Sequence, residues 1–410
     1  MIPRTMLVKV ITCMGTIVML ATALSSIGWG QAQDKSYAQL LREALESGPK
    51  YEGVPTNIVD RSCAVPQAPF FLPAPAFRDR TAVSYLIAVL ENGEHWTDLS
   101  VNRQAYYNQQ ARCYAALSLG YLKDRRAFDL LVAALDSPPD TAATAIGMSG
   151  AYDLRCAAAY GVAILGDANA IDPLIAALER KQDDERKTDY AGCLASFRDL
   201  RALEPIVRFA VEVVTDATIA NSLEYLLRTE FFREFQEHGD GTYSYSCFPE
   251  LGKQGYFQIH QALWRHWLNG GGQKYAKEQF DEYYKQFKAL KPEESEKRDD
   301  LIYKMTRGGI LALPYVMEKI EAGEDGFEYA LHLLTVPKMV RNEKGFTEPM
   351  PNPYKEYFTS RTRTLNWWHA EKGKWLIDVG QMRTRIQGAK VAPNVPSTAG
   401  GRPIENTKGQ

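Results

Sequence analysis

The chain has 410 residues, with 48 lysines and arginines against 50 acidic residues, and an apolar share of 45% that is ordinary for a globular protein. That balance excludes the basic footprint of a nucleic-acid binder and of a protein held on an anionic membrane. The length allows a large core, and 22 tyrosines provide material for a contact surface.

Met1 to Lys9 carries Arg4 and Lys9 with no acid, Val10 to Leu24 is uncharged, and Gly30-Gln31-Ala32 precedes the polar start Gln33-Asp34-Lys35. A basic head, an apolar middle and a small-x-small exit predict a secretory signal over residues 1–32, and hence a periplasmic or extracellular protein. The other reading is an uncleaved anchor, because the uncharged run extends to Gln33. Its tail, with Ser25, Ser26, Gly28, Gly30 and Gln31, is too polar to span well. Cys13 lies inside the run, out of place for a lipid-bearing cysteine. No membrane contact is expected after cleavage.

Residues 33–77 read as an amphipathic helix closed by Gly48-Pro49, then a proline-punctuated stretch lying over whatever follows. The chain then repeats itself. Arg112 to Leu135 (RCYAALSLGYLKDRRAFDLLVAAL) aligns without a gap to Arg155 to Leu178 (RCAAAYGVAILGDANAIDPLIAAL), with 12 of 24 positions identical. Chance would give about one or two. Ala82 to Leu90 overlays the second half of this unit, and so does Asp199 to Phe209. Second helices are therefore expected near residues 82, 127, 170 and 202, with a fifth at Ile310 to Ile320. Pro173, Pro205 and Pro314 fall early in these helices, where the first turn tolerates proline.

The pattern R-x-A-A…L-x-D…A…L-x-x-A-L is carried by Arg112, Ala115, Ala116, Leu122, Asp124, Ala127, Leu131, Ala134, Leu135 and their echoes. It resembles HEAT repeats, and more closely the short HEAT-like repeats of phycobilisome lyases, over Arg78 to about Val214 and loosely over Asp299 to Thr335. The resemblance implies an all-α, right-handed HEAT-like α-α solenoid of the armadillo-like class, with irregular insertions. It implies a scaffold rather than lyase activity.

Arg112, Asp124, Arg155 and Asp167 recur at one repeat spacing. They are read as a structural ladder in which the turn aspartate caps the second helix and accepts from an arginine. A motif stamped into every repeat serves stacking, whereas a catalytic site needs singular geometry. Asp167 to Asn169 opens like a calcium loop, but Ile171, Asp172 and Leu178 occupy slots that need a ligand, a glycine and a glutamate. No HExxH, CxxC, GxSxG or Walker pattern is present, so no catalytic residue, metal or cofactor is assigned. Cys113, Cys156 and Cys193 fall on repeat helices and are expected to be buried thiols. Cys63 and Cys247 fall in irregular segments and are the expected disulfide.

Residues 78–235 form the expected repeat block. Residues 236–254 interrupt it as an aromatic loop in which Tyr243 and Tyr245 are the candidate partner contacts. A second helical block follows over 255–340, with Gly270-Gly271-Gly272 as a helix stop. Residues 341–385 read as a linker and an aromatic helix, and 386–410 as a disordered tail. The functional expectation is a non-enzymatic scaffold binding a protein or peptide along the groove lined by second helices. The alternative is a carbohydrate-binding protein or an α/α-toroid polysaccharide enzyme, which would require exposed, clustered Tyr and Trp.

Overall fold

A computed structural model of the chain describes residues 35–46, 73–138, 153–180, 187–212, 217–230, 235–291, 293–335, 339–341, 347–349 and 352–389. The expected signal segment, Cys63 and the last 21 residues lie outside that set. Helix Tyr37–Glu46 (α1) comes first, followed by helices in the repeat order: Val83–Asn92 (α2), Val101–Leu122 (α3), Phe128–Ala134 (α4), Leu154–Leu165 (α5), Ile171–Glu179 (α6), Lys187–Ser196 (α7), Leu203–Glu212 (α8) and Ala217–Leu227 (α9).

The second helices α2, α4, α6 and α8 all start by one local device. Asp79, Asp124, Asp167 and Asp199 stand in extended backbone, and each carboxylate accepts the main-chain N–H two residues on, at 2.9–3.1 Å. A single 3-10 turn follows and ends on Ala82, Ala127, Ala170 or Ala202, each fully buried. The carboxylate satisfies an N–H that has no partner within the helix and lies at the positive end of the helix dipole. Pro173 and Pro205 occupy the first turn that follows. These starts coincide with the expected positions 82, 127, 170 and 202.

The described residues form two compact units, divided after Pro173 inside α6. The repeat block drawn from sequence over 78–235 is therefore split. In a solenoid each repeat touches only its neighbours, so sequence similarity does not mark where contacts thin out. In the first unit, α1 buries Leu41, and its Tyr37 ring stacks 5.3 Å from Tyr85 and lies 5.9 Å from Phe77. The main-chain N–H of Ala74 donates to the Tyr114 hydroxyl at 2.8 Å, which ties the end of the proline-rich stretch to α3. Helices α3 and α5 touch backbone to backbone: a Cβ on Gly120 would lie 2.6 Å from the Gly161 carbonyl oxygen, and one on Gly161 would lie 2.7 Å from that of Ala116.

In the second unit α7 packs on α9. A hairpin of Phe235–Glu237 (β1) and Tyr243–Tyr245 (β2) comes next, then Tyr256–His266 (α10), Gly272–Ala289 (α11), Ser295–Met305 (α12), Leu313–Glu321 (α13) and Glu328–Thr335 (α14). The glycine triplet does not stop the helix. A π turn over Trp267–Gly271, with Gly270 at φ +105°, kinks the chain, and α11 starts at once. A Cβ on Gly272 would lie 2.2 Å from Trp267 Nε1, so the triplet is what lets the indole lie against the bend. The fifth second helix is α13, entered through a 3-10 segment at Thr306–Ala312, with Ala312 buried in the alanine slot but without the aspartate cap.

The segment read as a linker contains Met339–Arg341 (β3) paired antiparallel with Thr347–Pro349 (β4). It ends in a 3-10 turn whose Phe358 lies edge-on 5.0 Å from Trp367 of Arg361–Trp375 (α15). The tail boundary moves as well. Val379–Ala389 (α16) is helical and buries Ile386, and Arg385 reaches Glu204 at 2.7 Å. An apolar residue every three or four positions, Val379, Met382 and Ile386, is enough to hold this polar helix down.

Candidate functional site

The aromatic interruption is a folded hairpin rather than an irregular loop. In its turn Asp240 Oδ1 accepts from the Thr242 main-chain N–H at 3.0 Å and from its hydroxyl at 2.5 Å, an Asx turn that brings the strands together. Tyr243 and Tyr245 are two apart on β2 and so share a face, while Tyr256 and His260 are one turn apart on α10. The two spacings match. Tyr243 lies edge-on to Tyr256 at 5.2 Å, and Tyr245 shares a 2.7 Å hydrogen bond with His260 Nδ1.

This corrects the expectation for Tyr245. It is 1% exposed and belongs to the core, so it offers a partner no surface. Burial, with smaller contributions from Cys247 and Glu224, raises its hydroxyl pKa well above the usual range and keeps it protonated. Tyr243 is half-buried and donates to Glu237 Oε1 at 3.2 Å. Tyr245→Phe should lower unfolding free energy by about 1–3 kcal/mol, since it leaves a buried imidazole nitrogen without this bond. Denaturant titration of the two proteins checks this, and an unchanged midpoint would return Tyr245 to the surface. Cys247 is half-buried next to this cluster, and its expected partner Cys63 lies outside the described residues. Cys113, Cys156 and Cys193 are all buried.

The repeat ladder is built differently from the expected pairing. Asp124 takes the guanidinium of Arg126 at 2.9 Å, and Asp167 takes that of Arg125 at 2.7 Å. Arg112 donates to the Leu90 carbonyl at 2.9 Å. Arg155 forks onto Asp153, the N-cap of its own helix, at 2.7 Å, and both residues are buried. The aspartates cap as the sequence implied, but their arginines come from the turns rather than from the first helices. A side chain leaving the first helix near its buried face cannot reach the turn at that helix's end.

A third place was not read from the sequence. Each first helix ends on a residue in the left-handed region: Lys123 at φ 51°, Gly166 at φ 79°, Arg198 at φ 52° and Arg228 at φ 57°. Glycine takes that conformation without steric penalty, whereas other residues do so at a cost. The slot is the x of L-x-D in Leu122-Lys123-Asp124 and Leu165-Gly166-Asp167, and arginine fills the corresponding place in Phe197-Arg198-Asp199 and Leu227-Arg228-Thr229. Three of the four positions hold a long basic side chain and one holds glycine.

Because α7 packs on α9, the two arginines meet. Arg198 lies over the Tyr225 ring at 4.1 Å, and Arg228 over the Trp375 ring at 5.6 Å. Tyr354 stands 5.6 Å from Trp375 and 5.5 Å from Trp367. Burial first, then the like charge of Arg198, pushes the Arg228 guanidinium down to about 9, still a cation at neutral pH. By surface area both arginine residues are half-buried. The indole N–H groups of Trp367 and Trp375 are buried without an acceptor.

Among the described residues no three His, Cys, Asp or Glu side chains gather as a metal-ligand set, and no helix is long and apolar enough to cross a membrane. Capped helix pairs repeated in register make this an all-α solenoid, a HEAT-like repeat protein. More particularly, the PBS lyase HEAT-like repeat matches residues 111–137 and 154–180, the two segments that align with each other. No curated protein matches the chain.

Proposed function

We propose that this protein is a non-enzymatic, extracytoplasmic HEAT-repeat scaffold that binds a protein or peptide partner. The export reading rests on the basic, apolar and small-x-small order of residues 1–32. The observation that carries the binding reading is where the recurring polar residues go. Asp79, Asp124, Asp167 and Asp199 all serve as caps, and the alanines that follow them are consumed by packing. What is left for function is the surface the repeats display.

The carbohydrate reading required exposed aromatic platforms. Every described tryptophan is buried: Trp96, Trp264, Trp267, Trp367, Trp368 and Trp375, each at most 9% exposed. Stacking a sugar on tryptophan needs an open indole face, and no described indole offers one, whereas Tyr303, Tyr329 and Tyr357 are exposed.

The test is one preparation of tagged protein from the extracytoplasmic fraction of its own cells. We expect a mature chain starting near Gln33 and a stoichiometric protein co-purifying after cross-linking. Retention of residues 1–32 in a membrane-bound species would overturn the localisation. Turnover of a glycan or peptide, abolished by one Asp, Glu, His or Tyr substitution, would overturn the non-enzymatic reading.

A further inference from the structure

We propose that the seat of α1 on the first unit is a docking site for an amphipathic helix of the protein partner, and that α1 fills it as a tethered stand-in. The inference rests on the partner-binding reading above and specifies the chemistry that is recognised. The partner's helix carries an aromatic residue, a leucine four positions on and an arginine beside that leucine.

Three observations converge. The first is that α1 has its own start and its own stripe. It begins at Ser36 rather than from the aspartate and alanine turn that opens α2, α4, α6 and α8. The Ser36 main-chain N–H donates to Gln39 Oε1 at 2.9 Å, and the Gln39 N–H donates to Ser36 Oγ at 3.3 Å, a reciprocal cap. Arg42 pairs with Glu46 one turn on at 2.8 Å. Leu41 is fully buried, while Tyr37, Leu40 and Leu45 on the same side are half-buried. A helix with such local support loses less freedom on docking. Ten residues are nevertheless marginal as a free helix in water, so the seat is what keeps α1 folded.

The second observation is that the seat is held together by contacts that do not involve α1. Phe77 lies edge-on to Tyr114 of α3 at 5.5 Å and stacks on Tyr85 of α2 at 6.3 Å. The Tyr85 hydroxyl donates to Glu94 at 2.6 Å, and Asp79 caps the turn that carries Thr81.

The third is the chemistry across the contact. The Tyr37 ring lies on Tyr85 and Phe77, and its hydroxyl meets that of Thr81 at 3.1 Å. Arg42 forks onto both Asp98 oxygens at 2.8 and 2.7 Å. Apolar anchors one turn apart with a charge at the rim are the way a groove reads a helix. The Arg42–Asp98 pair is partly exposed, so it adds selectivity more than strength. Residues 47–72 tether α1 to its seat, and a tethered segment acts at a local concentration of roughly millimolar. That keeps a weak dock filled, yet the dock yields to a partner that binds better. By the export reading the other end of α1 is the start of the chain near Gln33, so α1 leaves without unthreading.

The experiment uses the full mature chain and a fluorescein-labelled peptide of residues 35–48, followed by anisotropy. Leu41→Glu in the chain dislodges α1 and leaves every residue of the seat unchanged. Arg42→Glu, at a partly exposed position, is the milder form. We expect the Leu41→Glu chain to bind the peptide at least tenfold more tightly than wild type does, with Arg42→Glu between them. Asp98→Arg added to the Leu41→Glu chain should abolish that gain, and a peptide carrying Arg42→Asp should restore it. In wild type, hydrogen exchange should open α1 before the central amides of α3.

Equal binding by wild type and both variants, or binding by none, overturns the proposal. If the Leu41→Glu chain does not fold, the Arg42→Glu chain and hydrogen exchange decide. Amides of α1 as slow as those of α3 make it a permanent part of the core and overturn the proposal. Equal capture of the co-purifying protein by wild type and by Asp98→Arg leaves the scaffold reading standing and removes this site. Peptide binding as expected with no protein co-purifying removes the scaffold reading and keeps the helix site.

Discussion

Asp153→Ala should cost the first unit about 3–5 kcal/mol of stability, more than any cap substitution in the other repeats. Asp153 is 4% exposed and Arg155 is 7% exposed. One carboxylate accepts the Arg155 main-chain N–H at 2.8 Å and the guanidinium at 2.7 Å. Alanine removes the cap of α5, which costs about 1 kcal/mol, and takes from the buried Arg155 guanidinium the carboxylate it forks onto, which costs more. Asp124→Ala makes the comparison. Its partner Arg126 is largely exposed, so only the cap is lost.

The double variant Asp153→Ala/Arg155→Met should recover much of the loss, since replacing both members of a buried ion pair by apolar groups is often close to neutral. Thermal melts of the four proteins decide the point. If Asp153→Ala and Asp124→Ala fall by the same amount, water reaches the Asp153 pair and the argument fails.

Gly309→Ala should be the most disruptive single-methyl change in the second unit, at about 3 kcal/mol or more. Gly309 has φ +64° and ψ −145°, a region open essentially to glycine alone. Its missing Cβ would lie 2.1 Å from the Leu227 carbonyl oxygen and 2.9 Å from the Arg228 carbonyl carbon. Gly270 provides the control, because it also has a positive φ, +105°, yet a Cβ there meets nothing within 4 Å. Gly270→Ala therefore reports backbone strain alone, about 1–2 kcal/mol, and the excess at Gly309 reports the clash.

The clash falls on the turn that presents Arg228. Gly309→Ala should consequently lower the melting temperature. Equal losses for the two glycine variants would show that the Leu227–Arg228 turn yields without cost, and the tight contact would carry no weight.

The repeat helices were legible in the sequence because their causes are local. An aspartate, a turn ending on alanine and an apolar residue every three or four positions all fall within about a dozen residues. They place the starts of α2, α4, α6 and α8 whatever surrounds them. The HEAT-like class follows from the alignment of Arg112–Leu135 on Arg155–Leu178 alone. The buried repeat cysteines were legible for the same reason, since a slot that is core in one repeat is core in the next.

The contacts that decide the candidate sites have no local cause. Two three-residue strands are too short to be stable by themselves, and β1 and β2 exist because α10 offers Tyr256 and His260 at the right spacing. That packing turns Tyr245 from a candidate contact into core. Arg198 and Arg228 are thirty positions apart and meet only through the stacking of α7 on α9. Tyr354 and Trp375 come to them from more than a hundred residues further along the chain. A cation looks the same in a sequence whether water or an indole surrounds it. Only the tertiary structure decides how much water reaches it, and burial is the first cause that lowers the Arg228 pKa.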